Sequence, residues 1–428
     1  MALRSRLIRH GRNLPLLHRL LPEERHPQRP SRRDFPNYLE ATGEQLAAPE
    51  GYCIDVIIPS YKGVAETKAC VESVLQHRDR CTGTILVIDD AGPEPELSAL
   101  LQDYANQGLI ELIRNPQNEG FVRTANKGIH LTQARGRDLI LLNSDTVVPE
   151  HWTERLAAHA HSDGRIGTIT PFSNDATLCS WPTRLGGGLP SAFQASAFDL
   201  ACQGANRGRR APIFTGVGFC LYIRRTCLQQ VGLLDAEKFE MGYGEEVDFC
   251  LRAKELNWIN IAACDIFVEH TGSVSFGNQS KPKQESWHKL CALYPSYPQW
   301  VKQHLHDDPL SPFRWAASAA LLRESPQGAW LRLKTTPIVE TRPREEDGAA
   351  DGSTPIVLTL LRQGRDLVLG LPPEWKEKPL LFARSRDGDL LRLLRSFGIT
   401  QERVITPNQP LPRRLRRIKE ALGTPERP

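Results

Sequence analysis

Apolar positions along this chain fall into short runs with two spacings. Ile54-Asp55-Val56-Ile57-Ile58-Pro59 is a run of strand length, stopped by Pro59. Residues 66–75 repeat at helical spacing, with Ala69, Cys70, Val71 and Val74 expected to face inward. Thr84–Ile88 reads as the next strand and ends at Asp89-Asp90. Leu97–Tyr104 reads as a helix, Leu109–Ile113 as a strand and Phe121–Leu131 as a helix. Leu139-Ile140-Leu141-Leu142 then forms a pure apolar run, which suggests a strand covered on both faces. Strands alternating with helices at this spacing predict βαβ units and a mostly parallel sheet.

The pattern loosens after Asp145. His151–His161 reads as a helix and Ile166–Thr170 as a strand. The stretch 171–212, with Gly186-Gly187-Gly188, reads as a long irregular loop or lid. Gly216–Ile223 predicts a strand, Glu245–Leu256 a helix, and Ile259–Val268 a strand leading to His270. Pieces at 356–361, 380–384, 390–397 and 404–405 suggest a small C-terminal α/β unit. The expected division is a basic leader (1–50), a main domain (51–305), a linker (306–350) and a C-terminal appendage with a basic tail (351–428).

Composition narrows the class. The 428 residues are 40% hydrophobic and 24% charged, as in an ordinary globular protein. A net charge of +4 over this length gives no argument for nucleic acid. The charge is unevenly placed. Nine Arg lie between Arg4 and Arg33, and Arg413, Arg414, Arg416, Arg417 and Lys419 form a second run. The favoured reading is solvated, mobile termini. The other is contact with an anionic membrane surface, since Leu3, Leu7, Ile8, Leu14, Leu17 and Leu21 are interleaved with the first run. No apolar run approaches the roughly 18 residues of a membrane span. The ten cysteines form no Cys-x-x-Cys pair and are expected to be free. A cytoplasmic protein is expected, with peripheral contact at the inner face of the membrane left open.

Chemistry-bearing residues fall at the predicted strand ends, where ligands bind in open α/β sheets. Asp89 and Asp90 follow the second strand and could accept hydrogen bonds from a base or ribose, or simply cap a helix. Asn118-Glu119-Gly120-Phe121 precedes a helix bearing Arg123 and Lys127. Asn143-Ser144-Asp145 could hold a divalent cation and the phosphates it bridges. Glu245, Glu246 and Asp248 crowd the first turn of a helix. There a macrodipole tolerates acids, while mutual repulsion raises one pKa toward that of a general base. His270 follows a strand.

These elements, in this order and at about this spacing, resemble an inverting family 2 glycosyltransferase of GT-A fold, of the bacterial rhamnosyltransferase-like type. The resemblance covers roughly residues 51–280. It implies that Pro59, Tyr61, Asp89, Asp90, Asn118, Gly120, Arg123, Asn143 and Ser144 hold a nucleotide-diphosphate sugar. It implies that Asp145 and His270 contact Mg²⁺ or Mn²⁺, and that Glu246 is the catalytic base with Glu245 and Asp248 in support. Asn143 departs from the family's Asp-x-Asp motif, and Glu246 stands where the family has Asp.

The implied reaction is displacement of a nucleoside diphosphate by an acceptor hydroxyl, the acceptor being a glycan or lipid-linked, in surface polysaccharide or lipopolysaccharide synthesis. Two alternatives are a catalytically inactive nucleotide-sugar-binding protein and a sugar nucleotidyltransferase. A processive membrane synthase is excluded, since Ser311 stands where a Gln-x-x-Arg-Trp motif needs Gln before Arg314-Trp315.

Overall fold

Every residue of Ile54–Ser60 is buried, and the run forms the first strand, β1. This computed structural model describes Arg29, 46–190, 193–240, 242–272, 280–325, 328–334, 356–363, 365–372, 375, 377, 379–406 and 410–423. Most of the expected leader lies outside the described residues. So does 335–355.

Helix α1 (Val64–Gln76), β2 (Thr82–Asp89), α2 (Pro95–Asn106), β3 (Glu111–Arg114), α3 (Phe121–Leu131) and β4 (Asp138–Leu142) follow as expected. The inward stripe of α1 is Thr67, Cys70, Val71, Ser73 and Val74. Ala69, expected inside, is exposed. At about 100° per residue it lies off the stripe that starts at Thr67.

Next come β5 (Thr146–Val147), α4 (Trp152–Ser162) and β6 (Ile166–Phe172). The stretch 171–212, expected to be irregular, holds helix α5 (Ala195–Asn206) and strand β7 (Arg210–Pro212). Its small residues hide a helical stripe, for Phe198, Ala201, Cys202 and Ala205 are buried at i, i+3, i+4 and i+7. Strand β8 is only Cys220–Ile223, so residues 215–219 are left as a turn. Helices α6 (Arg225–Val231) and α7 (Glu245–Glu255) and strands β9 (Ile259–Phe267) and β10 (Glu269–His270) complete this part.

Among the described residues, an eight-stranded sheet has the order β3-β2-β1-β4-β8-β6-β9-β7. Six strands share one direction, while β8 and β7 run against them. Ile57, Leu86, Ile88, Leu139 and Leu141 face α3, which supplies Val122, Ala125 and Ile129. Ile58, Val87, Ile140 and Leu142 belong to the larger apolar cluster that includes α1 and α4. A separate ribbon pairs β10 with β5 and sets His270 opposite Thr146.

Helices α8 (Ser280–Leu293), α9 (Tyr297–Asp307) and α10 (Ser311–Arg323) follow. The expected linker 306–350 therefore needs correction: α10 is buried along nearly its whole length, and 329–334 is strand β11. Buried Trp315 and Leu322 are inconsistent with a solvated tether. Strand β11 (Ala329–Lys334) joins β12 (Ile356–Gln363), β13 (Asp366–Gly370), β14 (Leu380–Phe382) and β15 (Val404–Ile405) in a five-stranded sheet of order β14-β13-β12-β11-β15. Helix α11 (Asp387–Ser396) and helix α12 (Arg413–Leu422) belong to the same unit. The basic run 413–419, favoured as a mobile end, is thus helical, with Leu415, Ile418 and Leu422 buried.

Buried charge ties this unit to the main domain. Arg314 on α10 donates to Glu377 (2.5 Å) and to both Asp308 oxygens (2.8 and 2.9 Å), and Arg184 lies 3.1 Å from Asp308. The Arg184 N–H also donates to the Trp375 carbonyl at 2.9 Å. All ten cysteines are free thiols. Among the described residues no helix is long and apolar enough to cross a membrane.

Removing one partner of a buried ion pair leaves an uncompensated charge. We expect Arg314→Ala to lose about 3–5 kcal/mol in urea denaturation. A loss under about 1 kcal/mol would show that the network adds nothing net.

Candidate active site

The carboxyl edge of the main sheet opens into a cavity of about 600 Å³. Pro59, Ser60 and Tyr61, at and just beyond the end of β1, form part of its wall. The two acids after β2 separate here. Asp89 turns to α2, accepting from the Gly92 N–H (3.1 Å) and the Ser98 hydroxyl (2.7 Å), with Arg114 at 3.6 Å. It does not line the cavity, and it does not cap α2 either: the N-cap is Glu94, and Asp89 braces the turn before the helix through Gly92 and Ser98. Asp90 does line it. Its Oδ1 accepts from the Asn115 amide (2.7 Å) and the Glu119 N–H (2.9 Å), and its Oδ2 from the Gly120 N–H (2.9 Å).

Asp90 therefore fastens the 118–120 loop to the sheet edge. Gly120 has φ +81°, a conformation that side chains disfavour, and it turns the chain directly into α3. Asn118 and Gly120 line the cavity. Arg123 does not; it stands exposed on α3.

Asn143, Ser144 and Asp145 line the cavity beyond β4. The Asn143 N–H donates to the Phe219 carbonyl (2.8 Å), and its own carbonyl accepts from Thr146 Oγ1 (2.8 Å). The β5–β10 ribbon brings His270 to Asp145, with Nε2 3.3 Å from Oδ1. His270 Nδ1 lies 2.7 Å from the Asp175 carbonyl, which can only accept; this assigns a proton to Nδ1 and makes Nε2, beside Asp145, the atom that gains or loses the titrating proton and donates to the carboxylate when protonated. The imidazole stacks on Phe219, with centroids 5.4 Å apart and planes at 22°. Burial alone would lower the His270 pKa. The hydrogen bond and charge of Asp145 outweigh it, and the net shift is upward.

The first turn of α7 also lines the cavity. Gly244 caps this helix at φ +114°, and its N–H donates to Glu246 Oε2 at 3.1 Å. Glu245 and Glu246 both line the cavity. Glu245 is nearly inaccessible, and among the described residues its Oε2 has no hydrogen-bond partner. Burial lifts its pKa well above the ordinary carboxylate range, and the neighbouring Glu246 charge adds to that. Burial lifts Glu246 as well, partly offset by N–H donors that include Gly244 and Gly218. Asp248 points elsewhere. It accepts from Arg252 Nε (2.8 Å) and the Tyr294 hydroxyl (2.8 Å) and lies outside the cavity wall, so its position is structural.

Sequence reasoning missed Asp175, Tyr243 and the 215–219 turn, all in the wall. Asp175 was findable. Ser173-Asn174-Asp175 follows β6 much as Asn143-Ser144-Asp145 follows β4. Asn174 also pairs twice with the His270 backbone (2.7 and 2.8 Å). Tyr243 has φ +65°, an uncommon backbone conformation of the kind found at functional sites.

Among the described residues, no group of three His, Cys, Asp or Glu side chains could hold a metal. Asp145 and His270 nevertheless fit two positions of one coordination sphere. Ligands about 2.0–2.2 Å from an ion at near-right angles lie roughly 3 Å apart. The His270 Nδ1 contact is the usual outer support of a metal-bound imidazole.

This is an α/β domain in which an acid–histidine pair and a buried carboxyl pair line one cavity. Residues 55–232, fewer than half of the chain, match the family model Glycosyl transferase family 2. N-acetylgalactosaminyltransferase 7 of Drosophila melanogaster is 30% identical over 87 residues, which are 20% of this chain and 14% of that relative's length.

Three solved structures are similar at lower identity. GalNAc-T7 with UDP, GalNAc and Mn²⁺ is 16% identical, with 58% of this chain and 50% of that one covered and a TM-score of 0.43. The mannosyltransferase PcManGT from Pyrobaculum calidifontis, with GDP-Man and Mn²⁺, is 13% identical, with 67% and 79% covered and a TM-score of 0.43. S. aureus TarS 1-349 is 15% identical, with 64% and 81% covered and a TM-score of 0.37. The family match ends before Glu246 and His270, which join the cavity through tertiary structure.

Because the folded state holds the Glu245 proton longer than the unfolded chain, ionisation opposes folding. Stability is then full below the unfolded pKa and falls as pH rises toward the folded one. We expect Glu245→Gln to flatten that fall in urea titrations between pH about 5 and 8. An unchanged slope would contradict the burial argument.

Proposed function

We propose that this site moves a sugar from a nucleoside diphosphate to an acceptor hydroxyl with inversion at the anomeric carbon. The observation that carries the reading is one cavity lined by Asp145, His270 and Glu246 together. Pro59, Tyr61, Asn118 and Gly120 receive the nucleotide, and Asp90 holds the 118–120 loop in place. Glu246 accepts the proton of the acceptor hydroxyl, whose oxygen attacks the anomeric carbon from the face opposite the leaving diphosphate. A raised pKa suits Glu246 to this task, since a base works best with a pKa near the working pH. Asp145 and His270 would hold Mg²⁺ or Mn²⁺, which takes its remaining ligands from phosphates and water. Such an ion, when bound, neutralises charge that grows on the diphosphate. Our reading extends to a glycan or lipid-linked acceptor and a rhamnosyltransferase-like role in surface polysaccharide assembly.

General-base catalysis contributes typically about 10²–10⁴-fold. We expect Glu246→Gln to lower turnover by that factor while donor binding persists. The acidic limb of the wild-type pH–rate profile should lie above the ordinary carboxylate range and be absent from the variant. Near-normal turnover would remove the assignment, and a wild type that binds donor but never turns over would favour an inactive binding protein.

A nucleoside diphosphate at about 100 times its Kd should add about 2.7 kcal/mol to stability. Thermal unfolding should show that gain depending on Mn²⁺ in the wild type and not in Asp145→Ala. Equal protection with a chelator present would argue against the metal pair.

A further inference from the structure

We propose that the C-terminal unit presents a composite basic surface that docks on an anionic lipid bilayer. Charge is segregated along this chain. Residues 46–325 hold 26 Lys and Arg against 32 Asp and Glu, whereas residues 356–423 hold 14 against 7. The excess of 7 in that one unit is larger than the +4 of the whole chain.

The fold concentrates these charges. Burial of Leu415, Ile418 and Leu422 turns Arg413, Arg416 and Arg417 outward, and all three are exposed. Arg414 points inward instead. It donates to Asp387 (2.9 Å), to the Arg365 carbonyl (2.6 Å) and to the Phe382 carbonyl (3.1 Å). That single guanidinium gathers three segments, and exposed Arg365 and Arg384 lie on two of them. Arg29, from the N-terminal basic run, donates to Asp366 at 2.8 Å, next to Arg365. Cations from both ends of the sequence thus meet around the β12–β13 turn of the five-stranded sheet.

The partner follows from what the surface lacks. Single-stranded nucleic acid is held by cations interleaved with aromatic rings that stack on bases. The described aromatic residues of the unit, Trp375, Phe382 and Phe397, are buried. The surface offers phosphate neutralisation and no stacking face, which suits a plane of lipid phosphates. An acid-rich main domain would be repelled by the same plane, so the charge asymmetry also sets the orientation. This inference does not rest on the proposed transfer reaction, and its test uses no catalysis.

Vesicles of phosphatidylcholine with about one-third phosphatidylglycerol, and vesicles of phosphatidylcholine alone, are sedimented with the full chain at about 0.1 M salt. Each basic residue near an anionic leaflet is worth about fivefold in partition. The wild type should bind only the anionic vesicles. Arg413→Glu, Arg416→Glu and Arg417→Glu together should weaken binding at least about 100-fold, with an unchanged thermal midpoint. Arg365→Glu with Arg384→Glu should weaken it at least about tenfold, and decides alone if the triple variant misfolds. Equal binding to neutral vesicles, undiminished binding by the folded variants, or a tighter hold on poly-uridylate than on the vesicles overturns the proposal.

Discussion

The pairing of β4 with strands running in opposite senses governs where the site residues end up. Parallel pairing with β1 brings the ends of both strands, and with them Tyr61 and Asn143, to one sheet edge. Antiparallel pairing with β8 brings the beginning of β8 to that same edge. The 215–219 turn therefore closes over Asn143, whose N–H it binds through the Phe219 carbonyl. Glu246 rests against Gly218 in that turn. The far end of the pair is fastened too. Buried Asp138 accepts from the hydroxyls of Tyr52 and Tyr222 and from the Arg225 N–H. Slipping the register would strand that carboxylate without donors, at a cost of several kcal/mol.

Two buried clusters treat charge in opposite ways. At α10, Arg314 meets Glu377 and Asp308 with close, directed hydrogen bonds, and Arg184 completes the set. That arrangement joins one unit to the other. At α7, Glu245 keeps an oxygen with no partner among the described residues, beside a second carboxyl. Nothing there is optimised for stability. A buried carboxyl with an unsatisfied oxygen, beside a second carboxyl in a cavity wall, is the arrangement expected where a reaction must move a proton.

Much of the first half of the fold was legible because its strands are buried on both faces and so read as unbroken apolar runs. Asn143, Ser144 and Asp145 were legible for the same reason, since they follow the purest run. The failures have physical causes. Ala and Gly carry too little hydrophobic signal to reveal α5, and Pro, Arg and Glu near 310–350 obscured a helix whose arginine is paired rather than solvated. Asp89 and Asp90 are indistinguishable in one dimension. Alternation along the strand sends one to α2 and the other to the cavity.

The sequence by itself determined the alternation of strand and helix, the strand ends and the acids at those ends. These are local properties, set by periodicity and by which residues stop a strand. Tertiary structure alone decided which acids share a space. Asp145 and His270 are 125 positions apart and meet through a two-stranded ribbon. Glu246 reaches the same cavity because β8 reverses beside β4, and Asp248 misses it because two residues along a helix rotate a side chain about 200°. Pairing direction and helix phase are cooperative outcomes of burial, and no single stretch of the chain encodes them.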